Sequence, residues 1–333
     1  MKLTHLDSPV KIFGIPNFEE RKTLERLPLY LREAVPSLKH LGRRPAGARL
    51  CFRTDAPRFS VKINYETMNI DIGMSIYACQ SAFVYVGERS SAEFVGIVYP
   101  KDYSQLTASR GFGKAEKMQD VTVFLPRNEV LKDIEINIPD GYSVEEPTPY
   151  KYSVPVLYYG SSITEGGCCC NVSNAYSAIL SRKLDCDYIN LGFSGNAKGE
   201  LPIADFINTL DISCFVYDYD HNAPTVEHLE STHEPFFRKI REKNPTLPII
   251  MMTRPKARYT EEEKARREVV HRTYENAKAN GDENVYFLDG EQFFTREPEL
   301  CLIDGTHPND FGFHQMAEKI EPLLKSILEK TAR

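Results

Sequence analysis

Val154-Pro155-Val156-Leu157-Tyr158-Tyr159-Gly160-Ser161-Ser162-Ile163-Thr164-Glu165-Gly166-Gly167 is the stretch whose reading decides the fold. Its first six residues are a short apolar run with the length and composition of a buried strand. The chain then meets Gly160, two serines and a Thr-Glu-Gly-Gly segment that cannot comfortably extend a sheet. Downstream, Ala175–Leu184 has helical spacing of Tyr176, Ile179 and Leu180. A hydroxyl directly after a strand, on a Gly-supported turn, sits at the carboxyl edge of a sheet, where open α/β folds bind ligands. An ordinary strand-to-loop turn has the same composition, since Gly and Ser are common turn residues.

From Val154 onward the texture is strand–helix alternation. Strands are expected at Val154–Tyr159, Asp187–Leu191, Cys214–Asp218, Pro248–Thr253 and Val285–Asp289. Helices are expected at Ala175–Leu184, Leu201–Leu210, Glu227–Lys243, Glu261–Ala279 and Phe311–Lys330. Thr260 with Glu263 reads as a capping box, and Asn280-Gly281 as a helix stop. Five βα units in a row imply a three-layer α/β domain with a parallel sheet, in a flavodoxin-like layout.

Up to about Tyr152 the texture is instead β-like. Short Val-, Ile-, Phe- and Tyr-rich runs fall at Arg49–Phe52, Phe59–Tyr65, Ile70–Tyr77, Ala82–Val86, Ala92–Val98, Asp120–Leu125 and Asp133–Ile138. Several alternate with the period of a half-buried strand, as in Ile134-Glu-Ile136-Asn-Ile138. Seven or so such strands read as a β-sandwich. Glu145–Tyr150, with two prolines, reads as a linker. Two domains are expected, a sandwich over 1–150 and an α/β domain over 151–333.

Composition narrows the function classes. The chain has 333 residues, 41% hydrophobic and 26% charged, as in ordinary globular proteins. A net charge of −6 and the lack of a basic run argue against nucleic acid. No apolar run approaches membrane-spanning length, and the N-terminus lacks the apolar core of a signal peptide. The eight cysteines therefore read as reduced thiols of a cytoplasmic protein. Cys168-Cys169-Cys170 has no metal-ligand spacing, and His221, His228 and His233 with Asp218 and Asp220 match no ligand frame. No metal and no cofactor are expected.

Two later segments sharpen the picture. Gly192-Phe193-Ser194-Gly195-Asn196 follows the second strand of the α/β half, and Asp304-Gly305-Thr306-His307-Pro308 precedes the last helix. Together with Gly160-Ser161-Ser162-Ile163-Thr164, in this order, the chain from Val154 onward resembles the SGNH (GDSL) hydrolases. The family's usual Asp before the nucleophile is Ser161 here. Its G-x-N-D block is best matched by Asp218-Tyr219-Asp220-His221-Asn222-Ala223, which keeps only the Asn.

The residue chemistry is consistent with that resemblance. A serine hydroxyl needs a neighbouring base to become a nucleophile, and imidazole suits the task near neutral pH. His307 is the candidate base, and Asp304, three residues earlier, can turn back to hold its Nδ1–H. A turn carrying a surface His is the alternative for this segment. The resemblance, and not the composition, selects Ser162 over Ser161. It also implies an oxyanion hole of the Ser162 N–H, the Gly195 N–H and the Asn222 amide. Arg254, just after the fourth strand, is a candidate substrate contact. A β-sandwich ahead of such a domain resembles two-domain carbohydrate esterases, which implies removal of O-acetyl groups from oligosaccharides. An acyltransferase using the same acyl-enzyme, or a non-catalytic carbohydrate-binding protein on this scaffold, are the alternatives. The oligomeric state stays open.

Overall fold

The computed structural model describes residues 1–71, 73–102 and 104–331. In the N-terminal region two antiparallel sheets face each other. One holds Lys2–Thr4, Leu131–Asn137, Arg58–Tyr65 and Thr107–Gly113 in that spatial order. The other holds Val144–Glu145, Arg49–Thr54, Gln119–Phe124, Ala82–Val86 and Glu93–Val98, with Lys11–Phe13 beside Arg49–Thr54. The period-2 pattern drives this pairing: Val61, Ile63, Ile134 and Ile136 from the first sheet meet Leu50, Phe52, Val84 and Val123 from the second in one buried core.

One expected strand is absent here and one strand goes unread, both for local reasons. Ile70–Tyr77 is not a strand; the Met74 N–H closes a turn onto the Asp71 carbonyl, and a short helix follows over Ile76–Gln80. Ile72, inside that expected strand, lies outside the described residues. Conversely, Thr107–Gly113 pairs as a sheet-edge strand although its sequence does not alternate. Only Ala108 and Phe112 in it are buried, and two glycines supply no side chain to mark a face.

The α/β half is a five-stranded parallel sheet. Its strands are β1 (Tyr152–Gly160), β2 (Cys186–Gly192), β3 (Cys214–Asp218), β4 (Ile249–Met252) and β5 (Val285–Leu288), in the order β2-β1-β3-β4-β5. Its helices are α1 (Ser162–Glu165), α2 (Tyr176–Leu184), α3 (Leu201–Ile207), α4 (Val226–Lys243), α5 (Glu261–Ala279) and α6 (Asp310–Thr331). Alternate residues of each strand point to opposite faces, which is why both faces read as apolar runs. Leu157, Tyr159, Phe215 and Tyr217 face a core built with α3, α4 and α5. Val156, Tyr158, Cys214 and Val216 face one built with α2 and α6. The capping box of Thr260 and Glu263 opens α5 as expected. Among the described residues no helix is long and apolar enough to cross a membrane.

The segment between the strands Lys11–Phe13 and Arg49–Thr54 leaves the sandwich. Leu27, Leu31, Val35 and Leu38 join the core of the α3–α5 face, so residues near the N-terminus pack on the α/β half. On that same face His233 of α4 is buried and stacked on Tyr217, its Nδ1 2.8 Å from the Thr273 hydroxyl. Burial pushes its imidazole from 6.5 down to about 3, against a weaker upward pull from Asp220. The unfolded chain therefore takes up a proton near pH 6.5 that the folded chain refuses until about pH 3. Stability should fall as pH drops through that window. His233→Gln is expected to give a flatter Tm profile between those limits, and an unchanged slope would show that other groups set it.

Candidate active site

The site forms where β1, β2 and β3 end. After Gly160 the chain turns at once into α1, a helix of one turn that begins at Ser162. Ser161 is its N-cap, and its side-chain oxygen accepts the Ile163 N–H at 3.0 Å. The two serines are thus separated by role: Ser161 faces the helix backbone, while Ser162 Oγ stands 2.9 Å from His307 Nε2. As the first helical residue, Ser162 carries an N–H with no intrahelical acceptor. The close fit of α1 against β2 needs a glycine: a Cβ on Gly192 would stand 2.2 Å from the Glu165 nitrogen.

His307 lies on the loop before α6. Its Nδ1 is 2.7 Å from Asp304 Oδ2, and Asp304 Oδ1 accepts the backbone N–H groups of His307 and Thr306 at 2.8 and 2.9 Å. Partial burial alone would raise the Asp304 carboxyl. The hydrogen bonds from His307 and Thr306 outweigh that and hold it at about 2. An ionised carboxylate can only accept, so the proton of the His307 ring sits on Nδ1 and Nε2 is left to take the Ser162 proton.

The two other candidate oxyanion donors follow β2 and β3, the strands on either side of β1. Gly195 sits in the turn after β2 at φ +68°, a conformation that glycine adopts without strain. Asn222 closes a single turn of 3₁₀ helix, Asp220–Asn222, just beyond β3. Its Nδ2 donates one N–H to the Phe193 carbonyl at 3.0 Å, which aims the amide and leaves its second N–H for a ligand. Ser162, His307, Asp304, Gly195 and Asn222 therefore converge on the carboxyl edge of the sheet. As a set these groups can supply what acyl transfer needs: a nucleophile, a base, an orienting carboxylate and amide donors.

Arg254 is placed otherwise. Its guanidinium donates to Thr306 Oγ1 at 2.7 Å and pairs with Glu263 at 2.9 Å, while its N–H reaches Asp220 at 3.1 Å. Through Thr306 it braces the loop that carries His307. Glu263 also pairs with Lys256 at 2.9 Å and accepts the Thr260 N–H at 2.8 Å, so Arg254 joins an ion-pair network at the start of α5.

Asp218, Asp220 and His221 do gather, with ligand-type atoms within 4.8 Å of one another. His228 and His233 do not join them; His228 Nε2 meets the Lys198 carbonyl. Asp220 is already engaged with His221 Nδ1 at 2.8 Å, and Asp218 accepts the Thr164 hydroxyl at 2.9 Å. Burial raises the Asp218 carboxyl to about 6. These contacts make the cluster a strut between β3, α1 and Asn222. Chelation with EDTA is accordingly expected to leave ester turnover unchanged. Loss of activity restored by a divalent ion would instead place a metal on this cluster.

Two of the three consecutive cysteines, Cys168 and Cys169, lie at a seam with the N-terminal region. Cys168 and Cys169 are buried and Cys170 is exposed. Cys168 Sγ lies 3.5 Å from the Gly73 carbonyl and 3.9 Å from Met74 Sδ. The buried Arg127 guanidinium meets the Gly166 carbonyl and Cys79 Sγ. Burial lifts the Cys169 thiol to about 12 and Cys168 to about 11, so both stay protonated at neutral pH.

Sequence reasoning missed a further buried pair, Arg26 with Glu165 of α1, at 3.0 Å and with side chains 0% and 1% exposed. Nothing local marks it, because its partners lie 139 residues apart. Removing one member of such a pair costs about 3–5 kcal/mol, since the other charge stays buried and alone.

The profile of the GDSL-like lipase/acylhydrolase family matches residues 153–325. That described as the N-terminus of Esterase SGNH hydro-type matches residues 3–144. No curated protein matches the chain. Among solved structures, a candidate GDSL-like lipase from Bacteroides ovatus ATCC 8483 is similar at 24% identity, over 99% of this chain and 98% of that one, with a TM-score of 0.88. Salicylyl-acyltransferase SsfX3 from a tetracycline biosynthetic pathway is similar at 20% identity, over 100% and 99%, with a TM-score of 0.82. A family two carbohydrate esterase from Clostridium thermocellum, in complex with cellohexaose, is similar at 15% identity, over 85% and 93%, with a TM-score of 0.65.

Proposed function

Because the chain belongs to the GDSL-like lipase/acylhydrolase family, we propose that it is a serine esterase that removes small acyl groups, O-acetyl above all, from carbohydrate. The observation that carries this reading is the unbroken chain from Ser162 Oγ through the His307 ring to Asp304, at 2.9 and 2.7 Å. Ser162 Oγ attacks the ester carbonyl carbon while its proton passes to His307 Nε2. The carbonyl oxygen becomes an oxyanion held by the Ser162 and Gly195 N–H groups and Asn222 Nδ2. Collapse breaks the bond to the sugar oxygen, which leaves as the alcohol with the proton from His307. Water, deprotonated by His307, then attacks the acyl-enzyme, and acetate departs as Ser162 recovers its proton.

Carbohydrate as the alcohol is supported by the two-part architecture, a sandwich ahead of the hydrolase core, which the esterase that holds cellohexaose resembles in fold. The similarity to an acyltransferase favours one second reading, in which an acceptor alcohol replaces water in the last step. Competition between water and added alcohols, followed by product analysis, separates the two. Eight free thiols fit a reducing compartment, and we assign the chain to the cytoplasm.

The acyl group is tested by chain length. A pocket that buries acyl methylenes gains about 0.8 kcal/mol for each, so a lipase-like site prefers long chains steeply. An acetyl esterase loses rate once the chain outgrows the site. The expected result is that kcat/KM on aryl esters falls from acetate to butyrate to octanoate, and that acetylated oligosaccharides exceed acetylated simple alcohols. A rise with chain length would overturn the acetyl assignment; indifference to the sugar would overturn the carbohydrate one.

A further inference from the structure

The oxyanion hole is not held by the α/β half alone. Arg26, from the segment between the strands Lys11–Phe13 and Arg49–Thr54, is fully buried and reaches the end of β2. Its Nη1 donates to the carbonyls of Asn190 and Gly192 at 3.0 and 2.7 Å. Its Nη2 donates to Leu41 O and to Glu165 Oε1, both at 3.0 Å, and its Nε donates to Arg44 O at 2.7 Å. All five guanidinium N–H groups thus have acceptors, a degree of fixation that a flexible ammonium could not match. The plane also lies 4.7 Å from the centre of the Phe193 ring.

Two of these contacts, to Glu165 and to Phe193, lead to the donors of the candidate hole. Glu165 ends the one-turn helix whose first residue is Ser162. Its second carboxylate oxygen, Oε2, accepts the Ser194 N–H at 3.2 Å and also the Ser194 hydroxyl, and Ser194 immediately precedes Gly195. Phe193, under the guanidinium, supplies the carbonyl that aims Asn222 Nδ2. A displacement of about an ångström at such donors is enough to reduce turnover on the order of 10²-fold. A buried carboxylate without Arg26 would neither stay in place nor hold Ser194 against α1.

We propose that Arg26 is a positioning residue for the oxyanion hole, locking the Ser194–Gly195 turn to the Ser162 helix through Glu165. This inference rests on the esterase reading above. The N-terminal region is then part of the catalytic apparatus and not only a binding module.

The test compares wild type with Glu165→Gln and with the double variant Arg26→Met/Glu165→Leu, which leaves no unpaired charge. Each is first shown to be folded by near-UV circular dichroism. The readouts are kcat and KM on an aryl acetate, and the Ki of a methyl trifluoromethyl ketone, whose adduct with Ser162 carries an oxyanion. Both variants are expected to lose about tenfold or more in kcat, with KM within about twofold, and to bind the ketone more weakly by a similar factor. Folded variants with wild-type kcat, or with lowered kcat but unchanged ketone affinity, would overturn the proposal. If neither variant folds, Ser194→Ala, which leaves the ion pair intact, decides: a parallel several-fold loss in kcat and ketone affinity supports the lock, and no loss overturns it. An inert wild type would remove the esterase reading and this inference with it. An active wild type with unaffected variants would remove this inference alone.

Discussion

Ser162→Ala is expected to lower kcat by roughly 10⁴- to 10⁶-fold and to abolish labelling by a fluorophosphonate, while Ser161→Ala keeps most of both. The contrast follows from geometry at two adjacent, chemically identical side chains. Ser162 Oγ faces the ring nitrogen of His307 that lacks a proton, 2.9 Å away. Ser161 Oγ caps the helix that Ser162 begins. Losing the cap removes about 1 kcal/mol of local stability and leaves the nucleophile with its base. Activity assays with both variants, at matched fold content, check the result. A dead Ser161→Ala beside a live Ser162→Ala would move the nucleophile by one residue and break the chain through His307.

Asn222→Ala should lower kcat by roughly 10²- to 10³-fold with little change in KM, as expected for loss of one oxyanion donor. The amide is held by the Phe193 carbonyl before any substrate arrives, so it does not need to reorganise as charge develops. Its contribution therefore appears in the transition state and not in ground-state binding. Alanine also leaves the Phe193 carbonyl without this donor, but that loss is local to a strand end. Steady-state kinetics on a small aryl ester measure both parameters at once. A rise in KM with kcat kept would make Asn222 a binding residue instead.

Much of this arrangement was legible in the sequence because it is local. The run Val154–Tyr159, the turn at Gly160 and the Asp304–His307 spacing are each contained within a few residues. The strand Cys214–Asp218 and the helix Glu261–Ala279 agree with the structure to the residue, because apolar runs and caps bound them. What was not legible depends on chain reversal over long distances. Thr107–Gly113 pairs by backbone alone and offers no apolar face to read. Helix α1 is a single turn, too short for any periodicity to show. Arg254 reads only as a candidate substrate contact, because Glu263 and Thr306 are brought to it by folding. Nothing in the sequence singles out Arg26, and only the fold places it against Glu165. Local pattern found the groups that react; the groups that hold them were written in contacts between distant segments.

The most direct test of the account is to trap the acyl-enzyme. Wild-type protein is mixed with a fast-reacting aryl acetate, quenched in acid during the first turnover, digested and fragmented in a mass spectrometer. The account predicts one acetyl group on Ser162, absent from Ser162→Ala and accumulating faster than water releases it. Steady hydrolysis with no acetyl on Ser162, or an acetyl found on Ser161 or Cys168 in its place, would contradict it.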